Sequence, residues 1–200
     1  MILNHRETPT IESLPPADPW SSTTFFETVR ISVAHFCSGQ ATRAWTAQVL
    51  VEQMHRVSRE LRSKRIDVGE ANRLTLTVFQ HIELIYRSRA SRFSSRPPLV
   101  LRELDLTHQV YTGLNLSNLT FHSCDLSGSN LSGGRWLDCT FTACSFEGAD
   151  LERSRMARCS FRGCSFRQAS LADATLNHCR LLGCNLDEAA IDGARGLPTG

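Results

Sequence analysis

One periodicity limits what this chain can become. From Leu106 every fifth residue is apolar, through Tyr111, Leu116, Phe121, Leu126 and Leu131 and on to Leu186 and Ile191, eighteen positions without an insertion. Against a background of about 45% apolar residues, the chance expectation is roughly one in a million. A second column lies two residues earlier, and from Cys124 it holds only small residues: Cys124, Ser129, Gly134, Cys139, Cys144, Ala149 and so on to Ala189. One large and one small inward residue per five fits neither a helix of period 3.6 nor a strand of period 2. It fits a coil with square corners, in which each side takes five residues and four sides close a turn of about twenty, the kind of internal repeat that decides a fold.

Cysteine tests the four-sided reading independently. In the repeat it occupies positions 124, 139, 144, 159, 164, 179 and 184, with spacings that alternate between fifteen and five. Two adjacent sides therefore carry Cys as the small inward residue, and the other two carry Ala, Ser or Gly. Phenylalanine follows the same rule, with Phe121, Phe141 and Phe161 on one side and Phe146 and Phe166 on the next. Free cysteine packs as a small hydrophobe. There is no CxxC pair and no His at ligand spacing, so core packing is favoured over disulfides or a metal site.

The segments CDLSG, SNLSG, CSFEG, ADLER, CSFRG, ASLAD and CNLDE resemble the A(D/N)LxX consensus of the pentapeptide-repeat family over about residues 102–195. The resemblance implies a mainly β C-terminal half folded as a right-handed quadrilateral β-helix, with coils stacked about 4.8 Å apart. It also implies a rod without catalytic residues, cofactor or metal, whose role is to bind another macromolecule. Some members of that family protect DNA gyrase from quinolones or toxins through an acidic rod that resembles duplex DNA.

The first half reads differently. Residues 1–20 are polar and Pro-containing and read as a disordered leader. Residues 21–96 read as a helical capping or interaction domain, and residues 97–200 as the β-helix. The first helix is expected to open at a capping box of Thr24 and Glu27 and to present Phe26, Val29, Val33 and Phe36. The second carries the stripe Ala47, Leu50, Met54, Val57 and Leu61. The third runs from about Gly69 to Ala90 with Leu74, Val78, Ile82 and Ile85, and SRFSSRPP ends it. A stacked rod needs its ends covered. The inward positions Leu104, Gln109, Leu114 and Leu119 are unusually large, which suits a cap. No helix follows Ile191, so the C-terminal coil is open or pairs with another chain.

Stacking at twenty residues lets the surface be read as ladders. Glu147 with Arg167 and Asp187, Asp138 with Arg158, and Arg153 with Asp173 are expected charge pairs. Arg135 above Arg155 is the exception, because Thr175 follows and the column holds no carboxylate. With Leu137, Ala157 and Arg158 these arginines form the candidate contact for an acidic partner surface, since Arg is favoured at interface hot spots. Arg56, Arg59, Arg62, Lys64 and Arg65 cluster near a helix C-terminus, where the helix dipole favours positive charge.

Composition sets the remaining bounds. The first hundred residues hold 13 Arg/Lys against 9 Asp/Glu and the second hundred 9 against 11. Neither balance is that of a strong nucleic-acid binder, and direct nucleic-acid binding is not expected. No apolar run is long enough for a membrane span. The absence of a signal-peptide pattern and the unpaired thiols point to the cytoplasm, or to a bacterial effector exported without a cleaved signal. His108, His122 and His178 are scattered, and no catalytic motif is present. The expectation is a non-enzymatic protein-binding scaffold of the immunity, inhibitor, effector or adaptor kind. The alternative is a DNA mimic that binds gyrase or topoisomerase. A homodimer through the helical domain or the open coil is compatible with either.

Overall fold

The structure, a computed structural model, describes residues 21–39, 41–87 and 98–197. The expected leader at 1–20 and nearly all of SRFSSRPP lie outside the described residues.

Three helices come first: α1 (Ser22–Cys37), α2 (Arg43–Arg62) and α3 (Val68–Arg87). Each starts where a side-chain oxygen takes an otherwise orphaned amide. Ser21 Oγ accepts from Thr24 N at 3.1 Å, Thr42 Oγ1 from Trp45 N at 3.2 Å, and Asp67 Oδ1 from Glu70 N at 2.7 Å. The expected Thr24–Glu27 capping box is therefore corrected. Thr24 is the capped residue rather than the cap, and Glu27 turns outward to pair with Arg30 at 2.8 Å. The stripe of α1 also includes Phe25, which is fully buried, while Phe26 and Phe36 are only partly so. In α2 and α3 the expected stripes are buried except for Leu61, which is partly buried.

The rest is a parallel β-solenoid. In chain order its strands are β1 (Leu99–Arg102), β2 (Asn115–Ser117), β3 (Leu119–His122), β4 (Arg135–Leu137), β5 (Thr140–Thr142), β6 (Arg155–Ala157), β7 (Ser160–Arg162), β8 (Thr175–Asn177) and β9 (Arg180–Leu182). They form two parallel sheets, β1-β3-β5-β7-β9 and β2-β4-β6-β8. The register is twenty residues throughout, as in Leu101↔Phe121, Phe121↔Phe141 and Trp136↔Met156. The odd-numbered sheet is called the first face of the prism and the even-numbered sheet the fourth. The second and third faces touch only by single bridges such as Asp125↔Ser145 and Asn130↔Asp150. On those two faces an Asp, Asn or Ser side-chain oxygen at several of these positions accepts the amide two residues on, as Asp125 does from Ser127 at 3.0 Å and Asp150 from Glu152 at 2.9 Å. Where it forms, this local bond supports the turn that replaces a strand on these faces.

The corners follow one rule. Every fifth residue from Glu103 to Gly193 has positive φ. Glycine adopts that conformation freely, whereas other residues pay about 1–2 kcal/mol for it. Non-glycine corners persist because each adjoining side is held by bonds to the coils above and below.

The interior is filled by the two expected columns. The aromatic ladders form, with Phe121–Phe141 at 4.8 Å, Phe141–Phe161 at 5.0 Å and Phe146–Phe166 at 4.8 Å, all nearly parallel. Cys124, Cys139, Cys144, Cys159 and Cys164 are buried free thiols. The large column starts one step before Leu106, because Leu101 is buried opposite Phe121.

Helices and rod share one apolar core. Phe79 of α3 stands edge-on to Tyr111 at 5.5 Å and tilts over Phe121 at 6.4 Å. Two amides of the first coil have no preceding coil to bond to. In later coils the equivalent amides reach back to a carbonyl, as Asp125 N does to Leu104 O and Asn130 N to Gln109 O. In the first coil Asp105 N donates to Ser58 Oγ and Val110 N to Asn72 Oδ1, both at 2.7 Å. The helices thus supply the hydrogen-bond acceptors of a missing coil. At the opposite end Cys179, Leu181, Cys184 and Leu186 are only partly covered and Ile191 is exposed. Leu197 packs against this end, and Arg195 pairs with Thr175.

Candidate interaction surface

A stack with its inward positions filled presents its outward residues to the surroundings. On the first face the outward charges are Arg102, Arg162 and Arg180, and on the fourth they are Arg135, Arg155 and Arg195. The corner between these faces adds Asp138 and Arg158. All seven arginines are exposed. The second face carries Asp105, Asp125, Glu147, Arg167 and Asp187, the third Asp150, Glu152 and Asp192, and their shared corner Glu188. The prism is therefore split lengthwise, with seven arginines and one aspartate along one edge and eight carboxylates and one arginine along the opposite edge. Sequence order hides this segregation, since consecutive faces alternate every five residues and only the coil sorts them.

The residues singled out from sequence fall on the basic edge. Arg135, Arg155 and Thr175 occupy one column of the fourth face, and Leu137, Ala157 and Asn177 the next. Leu137 is 40% exposed and Ala157 is half-buried. Neither Arg135 nor Arg155 forms an ion pair with a described residue. Arg158 differs, because its guanidinium grips Asp138 with two bonds of 2.7 and 2.8 Å. The hydrogen bond from Arg158 holds the Asp138 carboxyl below its ordinary range. Arg195, four coils along from Asn115, joins the Arg135 column through its bridge to Thr175, a place the sequence pattern does not single out.

Two of the three expected charge ladders form, Arg158–Asp138 and Arg167–Glu147, the latter at 3.4 Å. Arg153 and Asp173 do not pair. The Asp173 carboxylate lies over Gly193 on the following coil, on the side away from Arg153. The helical basic cluster is largely engaged within the molecule. Arg59 meets Glu52 at 3.4 Å and Arg65 meets Glu60 at 2.9 Å, while Arg62 donates to Ser58 Oγ and to the carbonyl of Glu103. Among the described residues no cluster of three or more His, Cys, Asp or Glu is arranged to hold a metal ion. No helix among them is long and apolar enough to cross a membrane.

The architecture is that of a parallel β-solenoid with a helical cap. Residues 102–191 match the family model described as a pentapeptide repeat region, and the C-terminal half of the chain is a pentapeptide-repeat β-helix. Among solved structures, the chain resembles the plasmid-mediated fluoroquinolone resistance protein QnrB1, with 30% identity over 46% of each chain and a TM-score of 0.44. It thus spans about half of that protein's length. A pentapeptide repeat protein from the Arabidopsis thaliana thylakoid lumen matches at 18% identity, over 53% of this chain and 68% of that one, with a TM-score of 0.34. Rfr23 from the cyanobacterium Cyanothece 51142 matches at 16% identity, over 48% and 82%, with a TM-score of 0.26. No curated protein is matched.

Proposed function

We propose that this chain is a non-enzymatic scaffold that binds another protein through the outward side of its rod, inhibiting or targeting that protein. The observation that carries the reading is the Arg135–Arg155 column, two exposed like charges in neighbouring rungs beside the exposed Leu137. Like charges directly opposite across a ladder are unfavourable, and a partner carboxylate placed over them relieves that repulsion. A filled, stiff frame suits binding because little has to be ordered on association. Arg135, Leu137, Arg155 and Ala157 make the contact, while Arg158, held by Asp138, borders it. Immunity protein, effector and adaptor are all forms of this role, and each is compatible with a cytoplasmic address. The half-covered C-terminal coil supports a homodimer through that end in addition. Affinity capture from the native host with the wild-type chain and with Arg155→Glu tests the reading: capture should weaken while circular dichroism is unchanged. Capture that persists at full strength removes the fourth face from the account.

The acidic second–third edge favours a second reading, a DNA mimic that binds gyrase or topoisomerase. Against it, Asp105, Asp125 and Asp150 spend a carboxylate oxygen on local turns. Inhibition of gyrase supercoiling by the purified chain would establish that reading, and its absence would leave the scaffold reading.

A further inference from the structure

We infer that the whole edge between the fourth and first faces is one docking surface for an acidic protein segment that also carries apolar side chains. This inference rests on the protein-binding reading above and extends it from one face to two, with a stated partner chemistry.

Three observations carry it. The first is the lengthwise segregation of charge, since seven of the rod's nine arginines face one side and eight of its eleven carboxylates the other, with Asp138 on the basic edge and Glu103 and Asp173 at the two remaining corners. A rigid body charged in this way orients an acidic partner before contact and repels it from the wrong side. The second is the kind of cation. Every positive charge on the rod is arginine, whose planar fork matches a carboxylate with two bonds and tolerates burial at an interface better than an ammonium does. Arg158 on Asp138 shows that two-bond geometry at the corner of this same edge.

The third observation separates a protein from a nucleic acid. Leu137 on the fourth face and Leu182 on the first are 40% and 52% exposed among these arginines. A phosphate backbone gains little from an aliphatic side chain, whereas protein interfaces combine an apolar contact with surrounding charge. Between the arginines, the outward residues of the first face are the half-buried Thr120, Thr140 and Ser160 in one column and the half-buried His122 and Thr142 in the other. The arginines therefore stand above a floor of mostly short residues, broken by His122, on two adjoining sheets, a shape that accepts a segment laid along the rod.

The test uses the full chain and a fluorescent peptide of alternating glutamate and leucine, with a glutamine–leucine peptide and a DNA duplex as comparisons, followed by anisotropy. The acidic peptide should bind at low salt and be released at about 0.3 M salt, and the glutamine peptide and duplex should bind much more weakly. Arg155→Glu on one face, and Arg162→Glu with Arg180→Glu on the other, should each weaken the acidic peptide at least about tenfold, while Arg153→Glu, at the corner between the third and fourth faces, should not. Glutamine variants at the same sites give the same comparison if a glutamate variant folds poorly. Tighter binding of the duplex, or no binding of the acidic peptide, overturns the inference. So does a peptide affinity that ignores Arg162 and Arg180, and in that case sensitivity of host capture to Arg155→Glu would still leave the one-face reading in place. A wild-type chain that captures no host protein would instead count against the scaffold reading itself.

Discussion

At the scale of single residues, the prism is governed by which side chain fits a given slot. Gly134 is the small inward residue before Trp136, and a Cβ there would lie 3.0 Å from the indole nitrogen and 3.1 Å from the carbonyls of Leu114 and Leu131. Gly134→Ala should destabilise the chain by about 1–3 kcal/mol, read as a shift of the denaturant midpoint, because two of those three neighbours are backbone and cannot step aside. The corner at Ala143 has the opposite sign. It sits at φ 52°, so Ala143→Gly should raise stability by about 0.5–1 kcal/mol in the same measurement. Asp138 gives a dependence on pH. Its folded carboxyl titrates lower than in the unfolded chain, first because of the Arg158 hydrogen bond. The stabilisation is therefore fully present above the unfolded value of about 4 and is lost as pH falls through the depressed folded value. Thermal melts of Asp138→Asn and wild type should differ modestly near neutrality and converge in acid. The small and large columns were legible in sequence because period five is unambiguous. The cap at Ser21 was not, since Ser21, Ser22, Thr23 and Thr24 are four adjacent hydroxyl residues and only the helix start chooses among them.

At the scale of elements, the informative junction is between α3 and the first coil. Thr75 Oγ1 donates to Gln109 Oε1 at 2.7 Å and lies 2.8 Å from the Tyr111 hydroxyl, which itself donates to Gln109 Oε1 at 2.7 Å. All three are buried, and burial pushes the Tyr111 phenol well above its usual range. A buried polar set of this kind fixes one seating of cap on rod, since any slip would strand its members. Phe79→Ala should cost about 3–5 kcal/mol, as for other buried aromatics. Ser58→Ala should cost about 1–2 kcal/mol by leaving the Asp105 amide without an acceptor in a part-buried site. Asn72→Ala should cost less, because Val110 is exposed and water can replace the lost acceptor. Denaturant unfolding ranks the three. The large residues at Leu104, Gln109, Leu114 and Leu119 pointed to a cap from sequence alone, but its acceptors did not, because Ser58 and Asn72 look like ordinary polar helix positions until the coil is placed beneath them.

At the scale of the whole molecule, a rod capped by helices at one end and only partly covered by the described residues at the other should not be uniformly stable. Interior coils have two neighbours, and the last has one. Hydrogen exchange should therefore be fastest from about residue 178 onward and slowest around Phe141 and Phe161, with protection of the first coil lost in Phe79→Ala. Equal protection along the rod in dilute solution would mean that the partly covered end is closed by a second copy. What the sequence determined by itself was the coil, since a five-residue spacing of large and small residues leaves no other way to bury both columns, and with it the stacking of Phe121 on Phe141 and of Asp138 on Arg158. What only the tertiary structure decided was how the four faces adjoin, and so which charged columns meet along one edge of the rod. Arg155 and Arg162 are separated in the chain by a single corner, at Arg158, and lie on adjoining sheets, whereas Arg153, two residues from Arg155, lies at the far corner of the fourth face. Charge in this chain is mixed along the backbone and sorted in space, because a square coil turns a period of five into four separate surfaces.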